Sequence, residues 1–271
     1  MKVDRITSAD GAAITLHTTG TGPGVVILHD GLVPLAHYHG LAEALEHRFT
    51  VHLYDRRGRA DAAPLQGGET VATDLADLSA VLEHTGAVNV LGHGTGGFLA
   101  LRAALRLPLE RVAVYDPLVS LDGSPVLGDL DELEQAVATG DHALALTLLG
   151  RARHPGGAPF GLALLSQRVL LRTPSRRAVT ALLPAAAAEL RRIRDHDGPP
   201  GDYAAAGAEI LLAAGTRSPE HFAENCRALA EALPHAQALI VPGASHDAAT
   251  AAPHELVRPV SRFLAGLPIT D

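Results

Sequence analysis

Short apolar runs alternate with segments of helical period along most of this chain. Residues 13–17 (AITLH), 24–30 (GVVILHD), 50–55 (TVHLYD), 88–92 (VNVLG), 111–116 (RVAVYD), 209–215 (EILLAAG) and 238–246 (ALIVPGASH) read as strands. Helical patterns fall between them, over 36–47, over 67–87 with Gly86 at its end, over 95–106, from Pro219 and from Pro253. Apolar strands alternating with helices predict a mostly parallel sheet with helices on both faces. Between 118 and 206 the pattern changes. No strand stands out there, and helical pieces are broken at PGGAP, RTPS and DGPPGD. The expected organisation is an α/β core over 1–117 and 207–271, with a helical cap over 118–206.

Composition narrows this little. The 271 residues are 47% hydrophobic, enough for one large α/β domain with an insertion. A net charge of −8 is a poor match to nucleic acid or an anionic membrane. The start, MKVDRITSADG, has no apolar region of a secretory leader, and no run approaches the roughly 18 apolar residues of a spanning helix. The single Cys226 excludes an internal disulfide and a cysteine metal cluster. The expectation is a cytoplasmic protein acting on a small molecule without a cofactor, as a monomer or homodimer. Aromatic residues are 3% with no Trp, which argues against a stacking cage for sugars or bases.

The stretch VNVLGHGTGGFLAL raises the question of chemistry. Gly92-x-Gly94-x-x-Gly97 fits a dinucleotide-binding turn, with Asp116 at the end of the next strand. That fingerprint usually sits on the first strand–helix unit, whereas about four strand-like segments precede it here. The other reading is the turn G-x-S-x-G that presents a serine between strand and helix, with Gly94 in the serine's place. Three further landmarks follow the order of one fold: LHDG at 28–31, YDRRGR at 54–59 and GASHDAATAAPHEL at 243–256. On these motifs the chain resembles the α/β-hydrolase superfamily, and 118–206 resembles its cap. It is similar to members in bacterial natural-product pathways that lack the serine and carry out cyclisation, lyase or carbon–carbon bond-forming steps.

The resemblance implies an eight-stranded, mostly parallel sheet and assigns roles. His246 matches the catalytic histidine. Asp116 is the candidate acid that orients it, a turn cap being the alternative; Ser218 stands where many members place that acid. Gly31 and Thr95 would supply N–H groups to an oxyanion. The family often shows H-G-x where this chain has His29-Asp30-Gly31, so Asp30 is either a general acid or base in the pocket or a turn cap. His29, His37 and Tyr38 would border the pocket with His39 nearby, and no further cluster supports a metal at the H-x-H pair. His93 reads as packing behind the turn. Arg56 and Arg57 read as tying their loop, with a substrate carboxylate contact as the alternative. Gly94 takes the strained backbone of the turn without penalty and removes the attacking oxygen. The favoured expectation is His-based acid–base chemistry beneath the cap. The alternatives are an ester, lactone or thioester hydrolase whose serine at position 94 was replaced by glycine, and a non-catalytic ligand-binding relative.

Overall fold

The computed structural model describes residues 1–60, 62–124, 127–153 and 157–269. Eight strands form one sheet: β1 (Lys2–Thr7), β2 (Ala13–Gly20), β3 (Gly24–Leu28), β4 (Thr50–Tyr54), β5 (Asn89–His93), β6 (Arg111–Tyr115), β7 (Glu209–Gly215) and β8 (Ala236–Val241). Their order across the sheet is β1-β2-β4-β3-β5-β6-β7-β8. The β1–β2 and β2–β4 pairs are antiparallel and every later pair is parallel. β1 is the strand the apolar runs do not mark. It lies at the edge and its residues are exposed or half-buried, so KVDRIT carries no buried apolar signal.

The helices follow in chain order: α1 (His39–Leu45), α2 (Val71–Thr85), α3 (Thr95–Ala104), α4 (Leu130–Ala138), α5 (His142–Arg153), α6 (Phe160–Leu170), α7 (Pro174–Thr180), α8 (Leu183–Arg194), α9 (Glu220–Ala232), α10 (Ala248–Ala251) and α11 (His254–Leu264). Gly86 ends α2 at φ 68°, the left-handed turn for which glycine has no Cβ penalty. The pattern expects one helix over 36–47. A 3₁₀ turn at Leu35–Tyr38 precedes α1 instead, which decides which of three neighbouring side chains points inward.

Side chains alternate across the sheet with period two. Val25 and Ile27 join a core with Leu41 and Leu45 of α1 and Val260 and Phe263 of α11. Val26 and Leu28 join the opposite core with Leu78 of α2, Phe98 of α3 and Leu229 of α9. Central strands therefore read as continuous apolar runs, because both faces are covered. Helices α4 to α8 lie between β6 and β7, and Leu133, Leu146, Leu183 and Leu190 from them join the second core. PGGAP falls partly outside the described residues. Among the described residues no helix is long and apolar enough to cross a membrane.

The parallel strands end just before the residues of the candidate site. β3 stops at Leu28 ahead of His29 and Asp30, β6 at Tyr115 ahead of Asp116, and β5 at His93 ahead of Gly94. Open α/β sheets gather ligand-facing groups at such carboxyl ends.

Candidate active site

The chain turns from β5 into α3 at Gly94, with φ 55° and ψ −120°. Few non-glycine residues hold that conformation without strain. Two residues on, a Cβ at Gly96 would run into the carbonyl oxygen of Leu28, so glycine lets α3 start against β3.

The space beside Gly94 is filled. Asp30 is fully buried, and a Cβ at position 94 would overlap its Oδ1 and stand 2.6 Å from its Cγ. Oδ1 accepts the Thr95 N–H at 3.1 Å, and Oδ2 accepts the Leu32 N–H at 3.4 Å. Two sequence departures, Asp30 in the loop after β3 and Gly94 in the turn, are thus one arrangement in space. The carboxylate occupies the volume of the absent side chain and holds one of the N–H groups that the family resemblance assigns to an oxyanion. It also caps its own turn through Leu32, as the turn-cap reading of Asp30 expects.

The groups behind Asp30 fix it. Its N–H donates to Tyr38 Oη at 2.8 Å, and Tyr38 Oη is 2.7 Å from His93 Nδ1. His29 Nδ1 lies 3.0 Å from the Asp30 carbonyl oxygen, while its Nε2 accepts the Arg56 N–H at 3.2 Å. That pair of contacts sets the tautomer with the proton on Nδ1. Burial, followed by the nearby Arg56 and Arg59 charges, holds the His29 pKa well below its ordinary value. His29 and Tyr38 are fully buried and bonded to backbone and to His93. They support the loop from behind, and Tyr38 also lines a small internal space of about 10 Å³ together with His93 and Tyr115. The 3₁₀ turn points Tyr38 inward and leaves His37 and His39 exposed.

On the other side of the turn, His246 Nδ1 is 3.1 Å from Asp116 Oδ2. Asp116 is fully buried and sits at φ 43°, a left-handed conformation that Asp tolerates better than most residues. Its Oδ1 accepts the Gly215 N–H at 3.1 Å and its Oδ2 accepts the Ser218 hydroxyl at 2.5 Å. Ser218 therefore supports the acid rather than replacing it. Tyr115 Oη donates to the Ser245 carbonyl at 2.6 Å and tethers the loop that carries His246. The His246 ring lies 4.5 Å from the His93 ring and stacks on Phe222 at 5.1 Å. Among the described residues its Nε2 is buried and has no hydrogen-bond partner. A donor or acceptor buried that way calls for a ligand or water.

The roof over the turn comes from α8. Glu189 is almost fully buried; its Oε2 accepts the Thr95 hydroxyl at 2.6 Å, and its Oε1 lies 2.8 Å from Arg56 and 2.5 Å from Arg59. Arg56 also donates to the His29 carbonyl at 2.7 Å and to Thr95 Oγ1 at 3.0 Å. Burial by itself would raise the Glu189 pKa, but the Arg56 and Arg59 charges and the Thr95 hydroxyl bring it down to about 2. Arg57 points the other way, pairing with Asp77 and Asp10 at 2.6 Å. Glu189 and Arg59 escaped the sequence reading. A lone Glu in the Ala-rich segment PAAAAEL reads as a solvent-facing helix position.

A cleft of about 410 Å³ opens among α4, α5 and α8, away from Asp30 and His246. Over Gly31 and Thr95 there is a pocket of only about 10 Å³. Leu127, Leu149 and Leu190 line both and form the wall between them. Among the described residues no group of three or more His, Cys, Asp or Glu side chains is placed to hold a metal ion.

The Alpha/beta hydrolase family matches residues 25–258 of the chain. The crystal structure of an alpha/beta hydrolase from Sphaerobacter thermophilus is similar at 28% identity, covering 88% of this chain and 91% of that one, with a TM-score of 0.76. An enol-lactonase from Burkholderia xenovorans shares the fold at 20% identity, with 97% and 100% coverage and a TM-score of 0.65. A pimeloyl-[acyl-carrier protein] methyl ester esterase from Nitrosomonas europaea is 32% identical over 103 residues, 37% of this chain. The chain spans 38% of the length of that relative.

Proposed function

Because the chain belongs to the α/β-hydrolase family, we propose that it is a cofactor-independent enzyme that uses the family's histidine–acid pair without a seryl ester. The substrate is a small-molecule intermediate of bacterial secondary metabolism, held beneath a cap formed by α4 to α8. The step is non-hydrolytic: a cyclisation, a lyase reaction or carbon–carbon bond formation driven by proton transfer at His246 Nε2. The observation that carries this reading is the buried, unpartnered Nε2 on a ring whose Nδ1 is bonded to Asp116. A histidine so oriented needs only a substrate proton within reach.

A serine simply exchanged for glycine is a weaker account. The Asp30 carboxylate already fills the space such a side chain needs.

The test is exchange of the α-protons of small β-diketones with deuterated water, followed by NMR. Wild type is expected to catalyse exchange, and His246→Ala to lower it by about 10²–10⁴-fold, the usual worth of a general acid–base group. Asp116→Asn, which keeps the shape but leaves His246 wrongly oriented, is expected to lose on the order of 10⁴-fold, as in the serine-protease triad. An acyl-enzyme burst with 4-nitrophenyl acetate would sink the reading. Tight binding of the diketones that His246→Ala leaves intact, with no exchange by wild type, would favour the non-catalytic alternative.

A further inference from the structure

Eight large apolar side chains are exposed among the described residues, and five of them stand on one helix of eleven residues: Phe160, Leu162, Leu165, Val169 and Leu170 of α6. That helix has no buried residue. Its Ala163, Leu164 and Gln167 are half-buried, and it packs on α5. Leu162, Leu165 and Val169 follow one another at i, i+3 and i+7, so they form a single outward stripe. The surface helices of a globular domain turn such a stripe toward the core, and an apolar patch left outside marks a contact surface.

Charge is segregated on the same part of the chain. Residues 142–188 hold six arginines and no Lys, Asp or Glu, although the whole chain carries −8. Arg176 is tied to Gln167 at 2.8 Å. Arg168 and Arg172 are exposed, each three residues after a member of the stripe, and the exposed Arg151 lies over the Phe160 ring at 5.8 Å. Net charge misses this, because exposed charges more than about 10 Å away are largely screened at ordinary salt. A surface approaching α6 meets its arginines and not the acids of the core.

We propose that α6 docks the protein on an anionic lipid surface. Leu162, Leu165 and Val169 enter the boundary between headgroups and acyl chains, and Arg151, Arg168 and Arg172 meet the lipid phosphates. This contact is separate from the chemistry at His246. An interfacial helix needs this combination, an apolar face that sinks about 5–10 Å and cations that stay among the headgroups. Each basic residue near anionic lipid raises partitioning about fivefold. A second copy of the chain is a poorer occupant, since the face carries charge of one sign and would repel itself. A protein partner would find little to bond besides the arginines. The exposed uncharged polar side chain of α6 is Ser166, and its hydroxyl already donates to the Ala163 carbonyl at 2.7 Å. Phe160 and Arg151 also line the 410 Å³ cleft, so docking sets that opening at the lipid surface.

The experiment is co-sedimentation of the full chain with vesicles of phosphatidylcholine alone and of equal parts phosphatidylcholine and phosphatidylglycerol. Wild type is expected to bind the anionic vesicles, to bind the neutral ones at least about fivefold more weakly, and to be released by added salt. Leu165→Ser/Val169→Ser should lower binding at least about tenfold and leave the melting temperature in place, because both side chains are exposed. Arg168→Glu/Arg172→Glu should lower it at least about twentyfold. Leu267→Ser, which removes an exposed apolar side chain outside α6, should bind as wild type does. Failure of wild type to bind the anionic vesicles overturns the proposal, and so does binding that both α6 variants leave unchanged. A dimer that Leu165→Ser/Val169→Ser dissociates in sedimentation velocity would assign the face to a second copy. Retention on immobilised polyglutamate without vesicle binding would assign it to an acidic protein. Either result overturns the lipid reading. None of these readouts depends on His246, so this result and the deuterium-exchange result can fail independently.

Discussion

Gly94→Ser alone is expected to yield no esterase and a less stable protein, whereas Asp30→Gly/Gly94→Ser is expected to gain histidine-dependent ester hydrolysis. The reason is steric. A Cβ at position 94 overlaps Asp30 Oδ1, and even the Asp30 Cβ lies 3.0 Å from it, so glycine rather than alanine is the partner change. The single variant suffers about 1–3 kcal/mol from overpacking and about 1–3 kcal/mol from a non-glycine residue at φ 55°. Its melting temperature should fall by several degrees. The double variant keeps the backbone strain but clears the clash and frees the Thr95 N–H. Hydrolysis of 4-nitrophenyl acetate should then exceed that of the single variant by at least about a hundredfold, the least that one oxyanion donor contributes. Adding His246→Ala should remove the gain. Equal activity in single and double variants would mean that Asp30 moves aside freely and does not hold the turn. An inert double variant with a normal melt would mean that His246 is not placed to serve an oxygen at position 94.

That outcome turns on a relation the sequence does not display. Strand ends, the Gly86 cap of α2 and the order of the motifs are local signals, and they place Gly94, Asp116 and His246 beyond the carboxyl ends of the strands. Asp30 and Gly94 are departures from separate motifs, 64 positions apart, and only the parallel pairing of β3 with β5 brings them together. The opposite orientations of His37 and Tyr38 are hidden for a smaller reason. A helix begun at 36 gives one set of inward faces, while a 3₁₀ turn over Leu35–Tyr38 gives another. Ser218 is legible as a departure but not as a support, because its bond to Asp116 joins the ends of β6 and β7. Gly31 and Thr95 lie at the turn as the motifs imply, yet the roof over them was invisible. Nothing in an Ala-rich helix marks one carboxylate as the partner of two arginines.

That carboxylate supports the second large prediction. Glu189→Gln is expected to cost about 3–5 kcal/mol, the typical loss when one member of a buried ion pair is removed. Arg56 and Arg59 would remain buried with a neutral amide where they now share a carboxylate. For a chain of this size that is a fall in melting temperature on the order of 10 °C. The pH dependence carries a sign that a packing defect would not. The Glu189 pKa is lowered to about 2 in the folded protein from an ordinary 4.5, so its contribution is complete above the unfolded value. It is lost as pH falls through the folded value. The shift corresponds to about 3 kcal/mol. The gap between wild type and Glu189→Gln should therefore be widest at neutral pH and narrow progressively between pH 4.5 and 2. A gap of constant size would show that Glu189 acts through shape alone. Arg191 on the same helix bonds to Asp131 and Glu134 at the surface, so Arg191→Ala should change the melt little. The contrast bears on function as well as on stability. Glu189 accepts the Thr95 hydroxyl while the Thr95 N–H rests on Asp30, so the ion pair that stabilises the fold also fixes the residue that begins α3 at the turn.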